Sequence, residues 1–231
     1  MGFKYDTHVH TSIVSACATI TKEEIVNLYV KNGYTGIFIT DHFIHGNCHE
    51  YIRGLDYKNK ILEVYKGYKE VKEAAKGKLD VFFGFEDSYL GTDVLVYGPD
   101  LEDLLNMPEI DSMDFKTLII YMNNKGYLTA QAHPFREANY IDHIRIYPET
   151  IGVETLNAAR NEKCNKFADF YADLYNKPKL AGSDLHHTNQ KMLSGVEFDE
   201  KIESVQDFVE KILSNKQKLF IQENKYKKDI M

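Results

Sequence analysis

The chain has 231 residues, of which 43% are hydrophobic and 27% are charged. This composition is that of a globular protein and excludes a disordered chain or a fibre. The net charge of −7 argues against binding to duplex nucleic acid, which usually needs a basic surface. No leader segment and no apolar run of about 18 residues is present, so we expect a cytoplasmic protein that does not enter a membrane.

Short apolar runs alternate with longer amphipathic segments, a pattern that favours an α/β protein with a largely parallel sheet. Strands are predicted at Phe3–Thr7, Thr35–Thr40, Leu79–Phe85, Asp93–Tyr97, Tyr127–Gln131, Ile151–Glu154 and Lys179–Ala181. Helices are predicted at Lys22–Lys31, Asp56–Lys76, Asp111–Lys125, Asn161–Tyr175 and Val205–Ser214, and a last extended segment at Gln217–Gln222. No linker or repeat divides the sequence, so a single domain over residues 1–231 is preferred.

The first of these helices has a recognisable start. Thr21 precedes it, and Glu24 follows three residues later. This spacing is typical of a capping box, in which the two side chains satisfy each other's backbone N–H groups.

Residues that can bind metals follow the predicted strands repeatedly. They are Asp6, His8 and His10, then Asp41 and His42, then Glu86, His133 and Glu154, and finally Asp184 and His186. In a parallel barrel or sheet the carboxyl ends of the strands lie at one rim, so these side chains can meet in one pocket.

The spacing of the first pair supports a metal site. Residues i and i+2 of an extended segment point the same way, so His8 and His10 can present both imidazoles to one ion. Imidazoles with carboxylates suit Zn, Mn, Fe or Co, whereas Mg or Ca would prefer oxygen alone. The candidate ligands exceed the four of a structural zinc site and indicate two or three ions with open positions.

At this point the sequence resembles the polymerase and histidinol phosphatase (PHP) family. The matching motifs begin at Asp6-Thr7-His8-Val9-His10 and Thr40-Asp41-His42, and continue in the family's order with Gly84-Phe85-Glu86, Ala132-His133-Pro134-Phe135 and Gly182-Ser183-Asp184-Leu185-His186. The resemblance implies a distorted (β/α)₇ barrel, similar to a TIM barrel, with a metal cluster at the carboxyl ends of the strands.

The resemblance also implies roles for individual ligands. A first ion would be held by His8, His10, Glu86 and Asp184; Glu86 would bridge to a second ion with His133; and His42 with His186 would hold a third. Two family ligands are missing. Asp93 is the nearest substitute for a histidine near the fourth strand, and Cys17 either replaces the missing ligand of the third ion or merely packs nearby.

Phosphoester hydrolysis needs further groups around such ions. Paired ions activate a water molecule and bind phosphoryl oxygens. His42, His186 or Asp6 can protonate the leaving oxygen, although Asp6 and Asp41 can instead orient ligand imidazoles. Substrate contacts are expected from Arg136 and Arg160, because a guanidinium grips phosphate oxygens, and from Glu154 and Asn157, for which a purely structural role is the alternative.

These observations predict a metal-dependent phosphatase that acts on a small phosphomonoester, such as histidinol phosphate, a sugar phosphate or a nucleotide. A nuclease or phosphodiesterase for short single strands is the main enzymatic alternative, because the same ions cleave diesters. A metal-binding accessory module without activity is the third possibility. The expected partners are a small phosphorylated substrate and divalent ions, with neither duplex nucleic acid nor a membrane, and the sequence leaves the oligomeric state open.

Overall fold

The structure, a computed structural model, describes residues 2–226. Within this range nine strands form one sheet: β1 (Phe3–Val9), β2 (Gly36–Ile39), β3 (Asp80–Tyr89), β4 (Thr92–Tyr97), β5 (Leu128–Ala132), β6 (Gly152–Asn157), β7 (Lys179–Gly182), β8 (Met192–Phe198) and β9 (Lys218–Glu223). The helices of the same range are α1 (Lys22–Lys31), α2 (Glu50–Arg53), α3 (Tyr57–Ala75), α4 (Leu101–Leu105), α5 (Phe115–Asn124), α6 (Glu162–Leu174) and α7 (Val205–Leu213), with a 3₁₀ helix at Pro108–Ser112. None of these helices has the length and apolar composition needed to cross a membrane.

The sheet curls into a nearly closed barrel. Its strand order is β7-β6-β5-β4-β3-β2-β1-β8-β9. Strands β1 to β3 and β5 to β7 are parallel within each group. The barrel closes between β7 and β1, because Leu185, just after β7, pairs with Val9 and accepts a 3.0 Å backbone hydrogen bond from His10. The α/β barrel predicted from the sequence is therefore confirmed.

Strand β4 runs against both of its neighbours. It pairs antiparallel with β3 and with β5, and β8 and β9 also add to the sheet in antiparallel fashion. The sheet is therefore mixed, less parallel than the alternation of elements predicts. Because β4 is reversed, its first residues lie at the rim where the parallel strands end, which places Asp93 opposite Ala132 on β5 and opposite Ser88 on β3.

Local signals in the sequence set several element boundaries. The capping box of α1 is present, since Thr21 Oγ1 accepts a hydrogen bond from Glu24 N (3.3 Å) and the Glu24 carboxylate accepts one from Thr21 N (3.0 Å). The helix predicted at Asp111–Lys125 is wrong at its start. A 3₁₀ helix ends at Ser112, and Asp114 then caps α5 by accepting a hydrogen bond from Thr117 N at 3.1 Å.

A buried aromatic and aliphatic cluster fills the barrel beside the rim. Tyr5, Phe38, Leu128 and Leu180 contribute to it from four parallel strands, and α7 covers it with Phe208. Each of those strand residues precedes a predicted metal ligand on the same strand or just after it. The cluster therefore fixes the strands at positions next to the site, so that their ends are held in place.

The close approach of β7 to β1 gives a test of this arrangement. A Cβ placed on Gly182 would lie 2.7 Å from Glu154 Oε1 and even closer to the Cβ of His8. We predict that Gly182→Ala lowers the free energy of unfolding by about 1–3 kcal/mol in urea denaturation, because the core must shift to admit the methyl group. Gly54→Ala, whose added Cβ meets only Tyr51 O at 3.7 Å, is the control and should change stability by less than about 0.5 kcal/mol. Equal stability of the two variants would contradict the prediction.

Candidate metal centre

The predicted metal ligands converge at one rim of the barrel. His8 lies in β1 and His10 follows it, His42 follows β2, Glu86 lies in β3, His133 follows β5, and Asp184 and His186 follow β7. His8, His10, Glu86, His133 and Asp184 are each at most 5% exposed. Residues from four separate stretches of sequence thus share one desolvated space.

Their donor atoms lie within a few ångströms of one another. His8 Nε2 is 3.3 Å from Glu86 Oε1 and 3.7 Å from Asp184 Oδ1. His10 Nε2 is 3.5 Å from Glu86 Oε2, and His133 Nε2 is 3.4 Å from Glu86 Oε1. Three groups each have ligand atoms within 4.8 Å of one another: His8, His10 and Asp184; His8, Glu86 and His133; and His10, His42 and His186.

A hydrogen-bonded chain fixes the tautomer of His10. Ser15 Oγ donates to Asp41 Oδ1 at 2.7 Å and lies 3.1 Å from His10 Nδ1. Since the single hydroxyl proton of Ser15 goes to Asp41, His10 Nδ1 must be the donor in the second contact. Burial and the neighbouring His186 and His42 lower the pKa of His10 well below its ordinary value, so its ring is neutral and Nε2 carries a free lone pair.

The His8 ring is oriented in the same way by Glu154. His8 Nδ1 lies 2.9 Å from Glu154 Oε1, while Glu154 Oε2 accepts from Asn157 Nδ2 at 2.8 Å and from His133 N at 3.1 Å. Glu154 and Asn157 are fully buried and do not line the pocket above the site. Their contacts therefore fit the structural alternative, in which they hold ligand imidazoles, and not the predicted substrate contact.

These orientations leave His8 Nε2 and His10 Nε2 facing each other at 3.0 Å. Two lone pairs at that distance repel unless a proton or a cation lies between them. Although burial disfavours its charged form, Glu154, Glu86 and Asp184 raise the pKa of His8 well above the ordinary value, so a proton can occupy this position. A divalent ion would displace that proton.

The carboxylates also fit a metal centre. Burial would raise the pKa of Glu86 and of Asp184, but the imidazoles around them, chiefly His8, hold both pKa values well below the ordinary range. Both groups are therefore ionised. Among the described residues, Glu86 Oε1 is a buried oxygen without a hydrogen-bond partner, and Asp93 Oδ2 is a buried oxygen whose contact with Arg136 is an ion pair without hydrogen-bond geometry. Ionised oxygens and aligned imidazole nitrogens are a donor set that suits divalent transition metals.

Asp6 takes a position different from the predicted catalytic one. Its Oδ1 accepts from His8 N (3.1 Å) and Ser183 N (2.9 Å), and its Oδ2 accepts from Tyr29 OH at 2.7 Å. Burial raises the pKa of Asp6 to about 7. Asp6 does not line the pocket, and its contacts join the end of β1 to the end of β7. The geometry therefore fits a role in positioning His8, not proton transfer to a substrate.

A pocket of about 490 Å³ opens above the cluster. Its floor includes Glu86, His133 and Asp184, and His42 and His186 form part of its wall. The pocket is also lined by Arg136 and Arg160, the two arginines expected to contact substrate, and by Arg53 and Tyr140, which no sequence motif marked. Three of the chain's four arginines, Arg53, Arg136 and Arg160, thus face one pocket.

Two of these arginines balance carboxylates of the site. Arg136 Nη2 lies 3.0 Å from Asp93 Oδ2 and donates to Gly91 O at 3.0 Å. Arg160 Nη2 donates to Asp184 Oδ2. In both side chains Nε is buried without a hydrogen-bond partner in the described part of the chain. The wall therefore presents two guanidinium groups, each of which is paired with a carboxylate of the site.

Asp93 belongs to this centre more closely than its sequence position suggests. His133 Nε2 lies 3.7 Å from Asp93 Oδ2, and Asp93 lines the pocket. Asp93 stands at the start of a strand, so a search for ligands after the carboxyl ends of strands does not identify it. The reversed direction of β4 brings it to the rim beside Glu86 and His133, where the substitute ligand is needed.

The comparisons with known proteins concern one segment of the chain and the fold as a whole. A family model described as PHP-associated matches residues 162–216, from α6 into the segment after α7. No curated protein matches the sequence.

Solved structures share the fold at low identity. A two-domain protein from Bacteroides vulgatus, containing a predicted PHP-like metal-dependent phosphoesterase, aligns with a TM-score of 0.66 at 14% identity, over 95% of this chain and 65% of that one. A candidate metal-dependent phosphoesterase from Bifidobacterium adolescentis gives 0.54 at 15% identity, over 79% and 87% of the two chains. PsfC from Pseudomonas syringae gives 0.59 at 15% identity, over 96% and 92%.

The chain thus spans just under two thirds of the length of the Bacteroides protein. At these identities the solved structures establish the fold. The PHP-associated segment and the fold shared with a predicted PHP-like phosphoesterase are consistent with the resemblance to the PHP family seen in the sequence.

The contact between Glu154 and His8 gives a test of the metal centre. Both Glu154 oxygens accept hydrogen bonds, and the amide of Gln would set an N–H group against one of those donors. We predict that Glu154→Gln weakens binding of Zn²⁺ or Mn²⁺ by about 10–100-fold, measured by competition with a chelating dye. Glu162→Gln, on the exposed face of α6, is the matched control and should bind as the parent does. An unchanged affinity in Glu154→Gln would show that Glu154 does not support the ligands.

Proposed function

We propose that this protein is a metal-dependent phosphoesterase, and specifically a phosphatase for a small phosphomonoester. The observation that carries the proposal is the convergence of ionised carboxylates and oriented imidazoles beneath a pocket walled by arginines. The names of the Bacteroides and Bifidobacterium proteins support the same reaction class.

The ligands divide into groups that share residues. His8, His10, Glu86 and Asp184 would hold one ion, and Glu86 with His133 and Asp93 would hold a second. His42 and His186, which face the pocket, would serve a third ion or donate a proton to the leaving group where no ion engages them. When bound, Zn, Mn, Fe or Co supplies a Lewis acid for phosphoryl oxygens and lowers the pKa of water.

The remaining residues bind and orient the substrate. Arg136 and Arg160 stand beside the carboxylates that would hold the ions, so a phosphate placed between them meets positive charge on both sides. Their guanidinium groups can donate two hydrogen bonds to phosphate oxygens. The pocket volume of about 490 Å³ suits a small substrate, and the chain's net charge of −7 disfavours a long polyanion.

Removal of the ions should abolish activity. We predict that protein purified without chelator hydrolyses p-nitrophenyl phosphate, loses this activity after chelation, and regains it with Mn²⁺, Zn²⁺ or Co²⁺. Asp184→Asn, which removes an ionised ligand, should lower kcat by about 100-fold or more. The control Asp169→Asn, on the exposed face of α6, should leave kcat unchanged. Activity that survives complete metal removal would overturn the proposal.

The same assay distinguishes the competing functions. Bis(p-nitrophenyl) phosphate tests the diesterase alternative, and faster hydrolysis of this diester would favour it. A panel of sugar, amino-alcohol and nucleotide monophosphates then identifies the substrate class. Bound metal without turnover of any ester would indicate an accessory module.

Arg136 provides a test of phosphate recognition. We predict that Arg136→Ala lowers kcat/KM by about 10–100-fold, because a charge-assisted hydrogen bond to phosphate is worth roughly 1.5–3 kcal/mol. Arg145→Ala is the control, since Arg145 contacts Leu90 O and Asp142 and does not line the pocket. An unchanged kcat/KM in steady-state kinetics of Arg136→Ala would remove Arg136 from the substrate site.

A further inference from the structure

One group of potential ligands differs from the others in composition. The group of His10, His42 and His186 contains no carboxylate, whereas the other two groups contain Asp184 or Glu86. Cys17 lies next to this group and faces the same pocket. Its Sγ is 3.2 Å from His42 Nε2, and, against the effect of burial, both His186 and His42 lower the pKa of its thiol. A sulfur atom thus stands where an anionic ligand is lacking.

The two histidines beside Cys17 are oriented toward it. His186 Nδ1 lies 3.0 Å from Asp184 O, which leaves Nε2 for the pocket. His42 is only 8% exposed, and its Nδ1 lies 3.0 Å from Glu86 Oε2 without a well-formed hydrogen bond. Cys17 is held from both sides, because Ala16 N donates to Asn47 O at 2.9 Å and Ala18 N donates to Ser15 O at 3.1 Å.

The spacing of the donor atoms agrees with joint coordination. In a tetrahedral zinc site with Zn–S near 2.3 Å and Zn–N near 2.0–2.1 Å, the sulfur and nitrogen atoms are separated by roughly 3.6 Å. The observed separation between Cys17 Sγ and His42 Nε2 is 3.2 Å, slightly shorter than this value. A small rotation of either side chain would remove the difference. No backbone movement is needed to seat an ion between them.

We propose that the Cys17 thiolate, with His42 and His186, forms a sulfur-containing metal position that prefers Zn²⁺ or Co²⁺ to Mn²⁺ or Mg²⁺. The proposal rests on the metal-dependent function proposed above and deepens it. Thiolate is a soft ligand, so it favours the first two ions, while the sites built from carboxylates accept harder ones. The thiolate also supplies the negative charge that the three imidazoles lack.

The other cysteines provide matched controls. Cys48 is buried in the apolar core, and Cys164 is buried at the start of α6, where its backbone N–H donates to Asn161. Neither lines the pocket. A spectroscopic signal from sulfur coordination should therefore depend on Cys17 and not on Cys164.

The test is titration of the metal-free full chain with Co²⁺, followed by absorption spectroscopy. The parent protein and Cys164→Ala should develop a sulfur-to-cobalt charge-transfer band in the near ultraviolet, and Cys17→Ser should lose it. Cys17→Ser should also hold one Zn²⁺ fewer per chain by elemental analysis, and Mn²⁺ should not protect Cys17 from alkylation as Zn²⁺ does.

The outcomes separate this inference from the proposed function. Bound Co²⁺ and phosphatase activity without a charge-transfer band would overturn the role of Cys17 and leave the phosphoesterase proposal intact. A band that persists in Cys17→Ser would also overturn it. Failure of the parent protein to bind any divalent ion would overturn both proposals. Circular dichroism of each variant confirms that it is folded before the spectra are compared.

Discussion

The constraint on which the structure depends is the burial of ionised carboxylates among imidazoles at the end of a barrel. Glu86 and Asp184 are at most 3% exposed, and a buried charge is costly unless opposite charge accompanies it. In the protein alone, His8 and Arg160 supply that charge. The same arrangement makes the rim a strong cation site, because every donor that an ion requires is already desolvated and oriented.

The sequence predicts this rim well because parallel strands obey a simple rule. His8, His133 and Asp184 all lie at or just after the carboxyl ends of such strands, so their convergence follows from topology alone. The capping box at Thr21 is likewise a local signal, since two side chains and two backbone groups determine it. Features that depend on few neighbouring residues can be predicted without tertiary information.

Other features depend on contacts that the sequence does not reveal. The reversed direction of β4 brings Asp93 into the centre, and strand polarity is set by pairing with β3 and β5. Strand β8 was not predicted. Its sequence contains Gly195, which interrupts the apolar pattern of a strand, and a side chain at this position would collide with the backbone of Tyr5. The sequence places Glu154 at a strand end without showing whether it faces the pocket, and only the fold shows that it is buried against His8.

The central claim is that side chains from distant stretches share divalent cations at this rim. The most direct test is a crystal structure of protein grown with Zn²⁺ or Mn²⁺, with anomalous scattering recorded on both sides of the metal absorption edge. We predict anomalous peaks about 2.0–2.2 Å from the Nε2 atoms of His8 and His10 and from the oxygens of Glu86 and Asp184. A well-ordered pocket without an anomalous peak, in crystals that hold metal elsewhere, would contradict it.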